Sequence, residues 1–168
     1  MIQSAKNIMD EFANDDLVKC REFNIGEKKG AIIFIADLTK EEVIERALFA
    51  LCNLTEEIVS LEELAKTVIF ARQVSVEKTK QDAVDALLSG DSVVLIEGLE
   101  GKLILDSKAW DKRSIMEPPV ENVLRGPREG FIEDIKTNLT LLQRRIRTTQ
   151  LKVERLRIGK QSYTANRA

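Results

Sequence analysis

The chain has 168 residues, 43% of them hydrophobic but only 5% aromatic, and a net charge of -2. That is enough apolar material for one aliphatic-cored domain, or one domain plus part of another. Histidine is absent, which excludes Ser-His-Asp and Cys-His nucleophiles and histidine metal sites; the two cysteines, Cys20 and Cys52, lack metal-ligand spacing and read as buried free thiols in a reducing compartment.

Apolar residues Ile2, Ala5, Ile8, Met9 and Phe12 recur at helical spacing, and Asn14-Asp15-Asp16 ends that run. Leu17 to Phe23 alternates loosely and predicts a strand. A turn over Gly26 to Gly30 leads into Ala31-Ile32-Ile33-Phe34-Ile35-Ala36, a strand buried on both faces. Thr39 followed by Glu42 predicts a capping box for a helix through Val43, Ile44, Ala47, Leu48 and Leu51. Ser60 followed by Glu63 predicts another for a short helix through Leu64 and Ala65. Residues 67–79 hold at most one short strand. Lys80 to Ser89 is helical, with Gly90 as its left-handed stop. Ser92 to Glu97 and Lys102 to Asp106, joined across Gly98 and Gly101, predict a β-hairpin. Interleaved strands and helices predict an α/β (α+β) fold, a small mixed sheet flanked by helices.

All three prolines fall within the next ten residues of interest, Pro118, Pro119 and Pro127. Glu117-Pro118-Pro119 must be extended, and Gly126-Pro127 makes a second turn. A helix is then expected from Gly130, with Glu129, Glu133 and Asp134 at its positive end. Phe131, Ile135, Leu139, Leu142 and Ile146 form its apolar stripe over about four turns. Arg125 and Arg128 flank the turn. They could bind an anion or ligand carboxylate with the loop amides, or pair with Glu121, Glu129, Glu133 or Asp134. Arg144, Arg145 and Arg147 suit a nucleic acid, the negative end of the helix, or an interdomain or intersubunit contact. No aromatic interleaves with them, so a base-stacking platform is absent. Leu151 to Gly159 alternates and predicts a strand. Lys160 to Ala168 is polar and predicted to fray.

Charge is unevenly spread: residues 1–135 carry 17 basic and 27 acidic side chains, and residues 136–168 carry 9 and 1. A net -10 segment beside a net +8 segment suggests docking between the two, or with a partner. The carboxylates Asp37, Asp106 and Asp111 sit at strand or turn ends without a partner motif. Gly98 to Lys102 superficially resembles a phosphate loop but joins two strands. No secretory signal opens the sequence, and no apolar run approaches the ~20 residues that span a bilayer.

Glu117-Pro118-Pro119, Glu121, Arg125 to Phe131, Glu133-Asp134, Asn138, Leu142, Arg144 to Arg147 and Ile158 to Ser162 resemble the signature of GerA-family spore germinant receptor A subunits. Asp15-Asp16, Ile32 to Leu38 and the Ser92-to-Leu105 hairpin fit the same pattern more weakly. The resemblance implies a receptor module and not an enzyme, with no catalytic residue, metal or cofactor. It implies a B subunit (transporter-like), a C subunit (a lipoprotein), A–A self-association and a small-molecule germinant as partners, and no nucleic acid. It implies the inner membrane of the endospore, with this soluble domain on the core or cytoplasmic side and a C-terminal transmembrane region elsewhere. The family's soluble region resembles substrate-binding proteins in having two α/β subdomains. On that plan, 1–112 is the first α/β subdomain, 113–150 the proline-glycine loop and connecting helix, and 151–168 the first strand and edge of a truncated second subdomain. The interface residues implied are Glu117, Arg125, Arg128, Glu129, Asn138, Arg144, Arg145 and Arg147, with Arg125 and Arg128 also available to a ligand carboxylate.

Overall fold

The structure is a computed structural model and describes residues 2–13, 15–54, 60–67, 73–109, 131, 133–157 and 165–167. Its centre is a five-stranded sheet. Strands β1 (Val18–Ile25) and β2 (Lys28–Ile35) form a hairpin, and β4 (Ser92–Ile96) and β5 (Lys102–Leu105) form a second. Strand β3 (Val74–Glu77) supplies the far edge, giving the order β1-β2-β4-β5-β3. Central strands β2 and β4 carry unbroken runs of β-branched and aliphatic residues, as strands covered on both faces require.

Helices cover both faces. On one, α1 (Gln3–Met9), a 3-10 turn (Asp10–Phe12) and α4 (Lys80–Leu88) bury Ala5, Ile8, Phe12, Val84 and Leu87 against Ile33, Ile35, Val93 and Leu95. On the other, α2 (Glu41–Cys52) and α3 (Leu61–Thr67) bury Ile44, Leu51, Leu61 and Leu64 against Ile32, Phe34, Val94 and Leu103. The alternation of Ala31, Ile33 and Ile35 with Ile32 and Phe34 between the two layers is the period-two rule of a strand. The α+β class expected from the sequence is the one observed.

The pairing differs from the mixed sheet expected. Every pairing in the five-stranded sheet is antiparallel. Strands β3 and β4 do run in the same sense, joined by α4, but β5 is inserted between them. Interleaved strand and helix order therefore looks like a parallel crossover while leaving no parallel neighbours.

Local signals held or failed for identifiable reasons. The Ser60 hydroxyl accepts from the Glu63 amide, so that cap forms. Thr79 caps α4, accepting from the Asp82 amide, and Gly90 follows that helix at φ 85°. The Thr39 capping box does not form. Thr39 is buried in a β-bridge to Lys108, the Lys40 amide donates to the Ser107 carbonyl, and Lys40 is the N-cap of α2 without a side-chain bond. Cys52 is exposed and not buried, while Cys20 is half-buried, its thiol pushed up mainly by burial.

Candidate functional site: the connecting helix and its anchor

The connecting helix, α5, runs Ile135–Arg145, shorter than expected and beginning later. Asp134 is its N-cap, accepting from the amides of Lys136 and Thr137 at 3.3 and 3.0 Å. Bonds from Thr137, first the hydroxyl and then the amide, hold the Asp134 carboxyl below the usual aspartate range. Phe131 therefore lies before the helix, 69% exposed, and not on its buried stripe.

Polar and apolar contacts fix α5 to the first helical layer. The Thr140 hydroxyl lies 3.1 Å from the Asp37 carbonyl and 3.0 Å from the Lys136 carbonyl. Lys136 Nζ approaches the buried Asp37 carboxylate at 3.9 Å. Leu139 packs against the core of α1, α4 and the sheet. Beyond the helix, Val153 enters that same core at 2% exposure, and its carbonyl accepts from the Asp16 amide at 3.0 Å. Lys152 Nζ donates to the Glu11 carbonyl at 3.1 Å.

Of the interface residues expected, Asn138, Arg144 and Arg145 lie on this element and Arg147 just after it. Asn138 and Arg144 are half-buried; Arg145 and Arg147 are exposed. Arg144 and Arg145 occupy the last turn, where cations oppose the negative helix end, and Arg147 Nε donates to the Arg144 carbonyl at 3.3 Å. Glu117, Arg125, Arg128 and Glu129 lie outside the described residues, as does Asp111. Asp37 was legible as a carboxylate at a strand end; its service as the anchor of α5 was not. Asp106 and the partly buried Asp91 both pair with Lys108, and burial outweighs that cation in raising Asp91.

A cleft of about 400 Å³ lies where α4 meets the residues after α5. Glu11, Lys80, Val84, Leu88, Arg147 and Thr148 line it, and Lys80 and Glu11 form an ion pair at 2.6 Å. Hydrogen bonding to Lys80, then its charge, holds Glu11 below the usual range. The expected strand from Leu151 is reduced to β6 (Arg155–Arg157), because Leu151 to Glu154 runs along the body instead. Residues expected to fray form β7 (Ala165–Arg167), antiparallel to β6 in a separate two-stranded sheet. Among the described residues no helix is long and apolar enough to cross a membrane.

The geometry thus defines a helix-covered antiparallel α+β domain with a connecting helix anchored along one layer. The family model for the Bacillus/Clostridium GerA spore germination protein matches residues 5–166, so the chain belongs to the GerA family. It is 29% identical over 167 residues to the spore germination protein GerLA of Bacillus cereus, covering 96% of this chain and 34% of GerLA. It is 32% identical over 147 residues to the uncharacterized membrane protein YfkQ of Bacillus subtilis, covering 86% of this chain and 29% of YfkQ. The chain therefore spans about a third of the length of the relatives it matches. Its fold is that of the N-terminal domain of the A subunit of the Bacillus megaterium spore germinant receptor GerK3, with a TM-score of 0.70 at 23% identity, over 96% of this chain and 60% of that one.

Proposed function

We propose that this chain is a non-catalytic N-terminal module of a germinant receptor A subunit, acting through subunit assembly and signal transmission in nutrient-triggered germination. Family membership supports the receptor setting. The observation that carries the assembly role is the anchored connecting helix. Its middle is fastened to the domain by Thr140 and Leu139 and the segment after it by Val153, and its arginine-bearing end is presented beside exposed surface. Such an element couples the folded domain to whatever docks at Arg144, Arg145 and Arg147. Charged contacts of this kind set partner choice and orientation more than raw affinity.

On this reading the partners are the B and C subunits and a second A subunit. The receptor sits in the inner membrane of the endospore, held there by parts of the full-length protein outside the matched third. Residues 1–112 and 113–150 divide as first subdomain and connector, and the beginning of a second subdomain lies within 151–168, after Val153, which packs in the first core. The GerK3 domain, of which this chain covers 60%, leaves room for that second unit. The test replaces Arg144, Arg145 and Arg147 together with alanine in the full-length receptor. Germination in response to nutrient should fall along with retention of the B and C subunits. Unchanged germination and unchanged subunit levels would sink the proposal.

A further inference from the structure

Helix α5 buries a glutamine and leaves isoleucines at its two ends exposed. At 3.6 residues per turn, Lys136, Thr140 and Gln143 share one side, while Ile135, Leu142 and Ile146 share another, about 105° away around the axis. Thr140 and Gln143 face the body: Thr140 meets the Asp37 carbonyl and Gln143 is only 7% exposed, while Lys136 at the start of the helix stays exposed. The Gln143 Oε1 atom is buried with no hydrogen-bond partner among the described residues. On the apolar side, Ile135 and Ile146 are 45% and 47% exposed, and Leu142 between them is half-buried. Leu139 lies between the two sides and packs against the core.

A docked helix ordinarily buries its apolar stripe and solvates its amides. Here a glutamine is buried while the isoleucines at the two ends of the same element stay exposed. Local choices that conflict with the packing are expected where function requires more than one arrangement.

We propose that α5 has two docking positions on the domain, related by a rotation of roughly 105° about its own axis. The first is the one described. In the second, Ile135, Leu142 and Ile146 turn toward the body, the Gln143 amide reaches water, and the Thr140–Asp37 bond is released. Leu139 serves both positions. The polar latch favours the first and apolar burial favours the second, so the two lie close in free energy, as a two-state element needs.

Both ends of the helix permit the motion. Among the described residues, the Asp134 side chain bonds to Lys136 and Thr137 within the first turn, so it travels with the helix. At the other end the backbone has already left helical geometry at Ile146, with φ -105° and ψ 79°. This inference goes beyond the receptor-module reading and stands without it, since it concerns an equilibrium within the chain.

The test is NMR relaxation dispersion on the 168-residue chain, which sees microsecond-to-millisecond exchange. Exchange is expected at the α5 amides and at Asp37, and not in β2 or β4. Gln143→Leu, which removes the unsatisfied amide from the docked side, should lower the minor population by about tenfold. The pair Ile135→Gln with Ile146→Gln, which penalises the rotated position only, should lower it as well. A wild-type α5 without exchange overturns the proposal, as does exchange that survives both changes. Exchange quenched by Gln143→Leu but untouched by the isoleucine pair also overturns it, since that pattern marks simple undocking.

Discussion

Gly30 shows how one residue's identity is set by its neighbour and not by its own backbone. It lies opposite Phe23 in the β1–β2 register, and its φ lies outside the left-handed region. The Phe23 ring covers it so closely that an added Cβ would overlap the ring at Cε2 and Cζ. Glycine here lets an edge-strand aromatic fold over the sheet and reach the second core, where Phe23 is buried. Gly30→Ala should destabilise the chain by about 1–3 kcal/mol, the usual cost of forced overpacking. In a Phe23→Leu background the same change should cost about 1 kcal/mol less. Urea denaturation of the four proteins in this cycle checks both statements, and additivity would show that the ring is not the cause. Gly26 is a contrasting case: it sits in the turn at φ 56° with open space around it, so its freedom of backbone is what matters.

At the scale of elements, α5 depends on a cap that titrates. The Asp134 carboxylate accepts hydrogen bonds that hold its pKa down in the folded chain. A lowered acid contributes fully above the ordinary aspartate range and is lost as pH falls through the lowered value. Amide protection across α5 should therefore drop on strong acidification. Asp134→Asn should keep most of the cap, because asparagine also accepts from these amides, while flattening that pH response. Hydrogen exchange or Cα chemical shifts of α5 against pH measure it; an equally steep response in the Asn variant would reassign the effect. What was legible in the sequence follows the strength of local signals. The Ser92-to-Asp106 hairpin is written in aliphatic strands and two positive-φ glycines, and α4 in its apolar face and Gly90. The start of α5 was not legible, because Glu129-Gly130 and Phe131 imitate an earlier helix entrance. The apolar stripe is buried only in part: Leu139 packs against the core, but Gln143 is buried where Ile135 and Ile146 are exposed. Tertiary contacts won at Thr39, whose bridge to Lys108 outcompetes a local cap. Strand β7 went unread because Ala165-Asn166-Arg167 carries no hydrophobic period.

For the whole molecule, the question is whether the chain after α5 belongs to the first folding unit or only begins a second. Charge and composition divide the sequence near residue 135, yet packing crosses that division. Val153 is fully enclosed with Ala5, Ile8, Leu17 and Val18, and its carbonyl holds the Asp16 amide just before β1. The segment therefore fills the same core layer as α1 and α4, and its loss should be felt across the sheet and not at the tail alone. Val153→Ala removes two buried methyl groups and should cost about 1–3 kcal/mol of global stability, in the range of large-to-small core changes. The readout is native-state hydrogen exchange at β2 and β4, the strands covered on both faces. If protection of Ile33 and Leu95 falls by the same free energy as protection around Val153, the connector and domain unfold as one unit. If only the segment around Val153 loses protection, the connector is a separately stable appendage. In that case motion of α5 would not reach the sheet, and the coupling proposed for the receptor would need another route. The single-unit outcome is expected because Val153 shares one buried core with residues of α1 and β1, at the opposite end of the sequence, and its carbonyl holds the Asp16 amide.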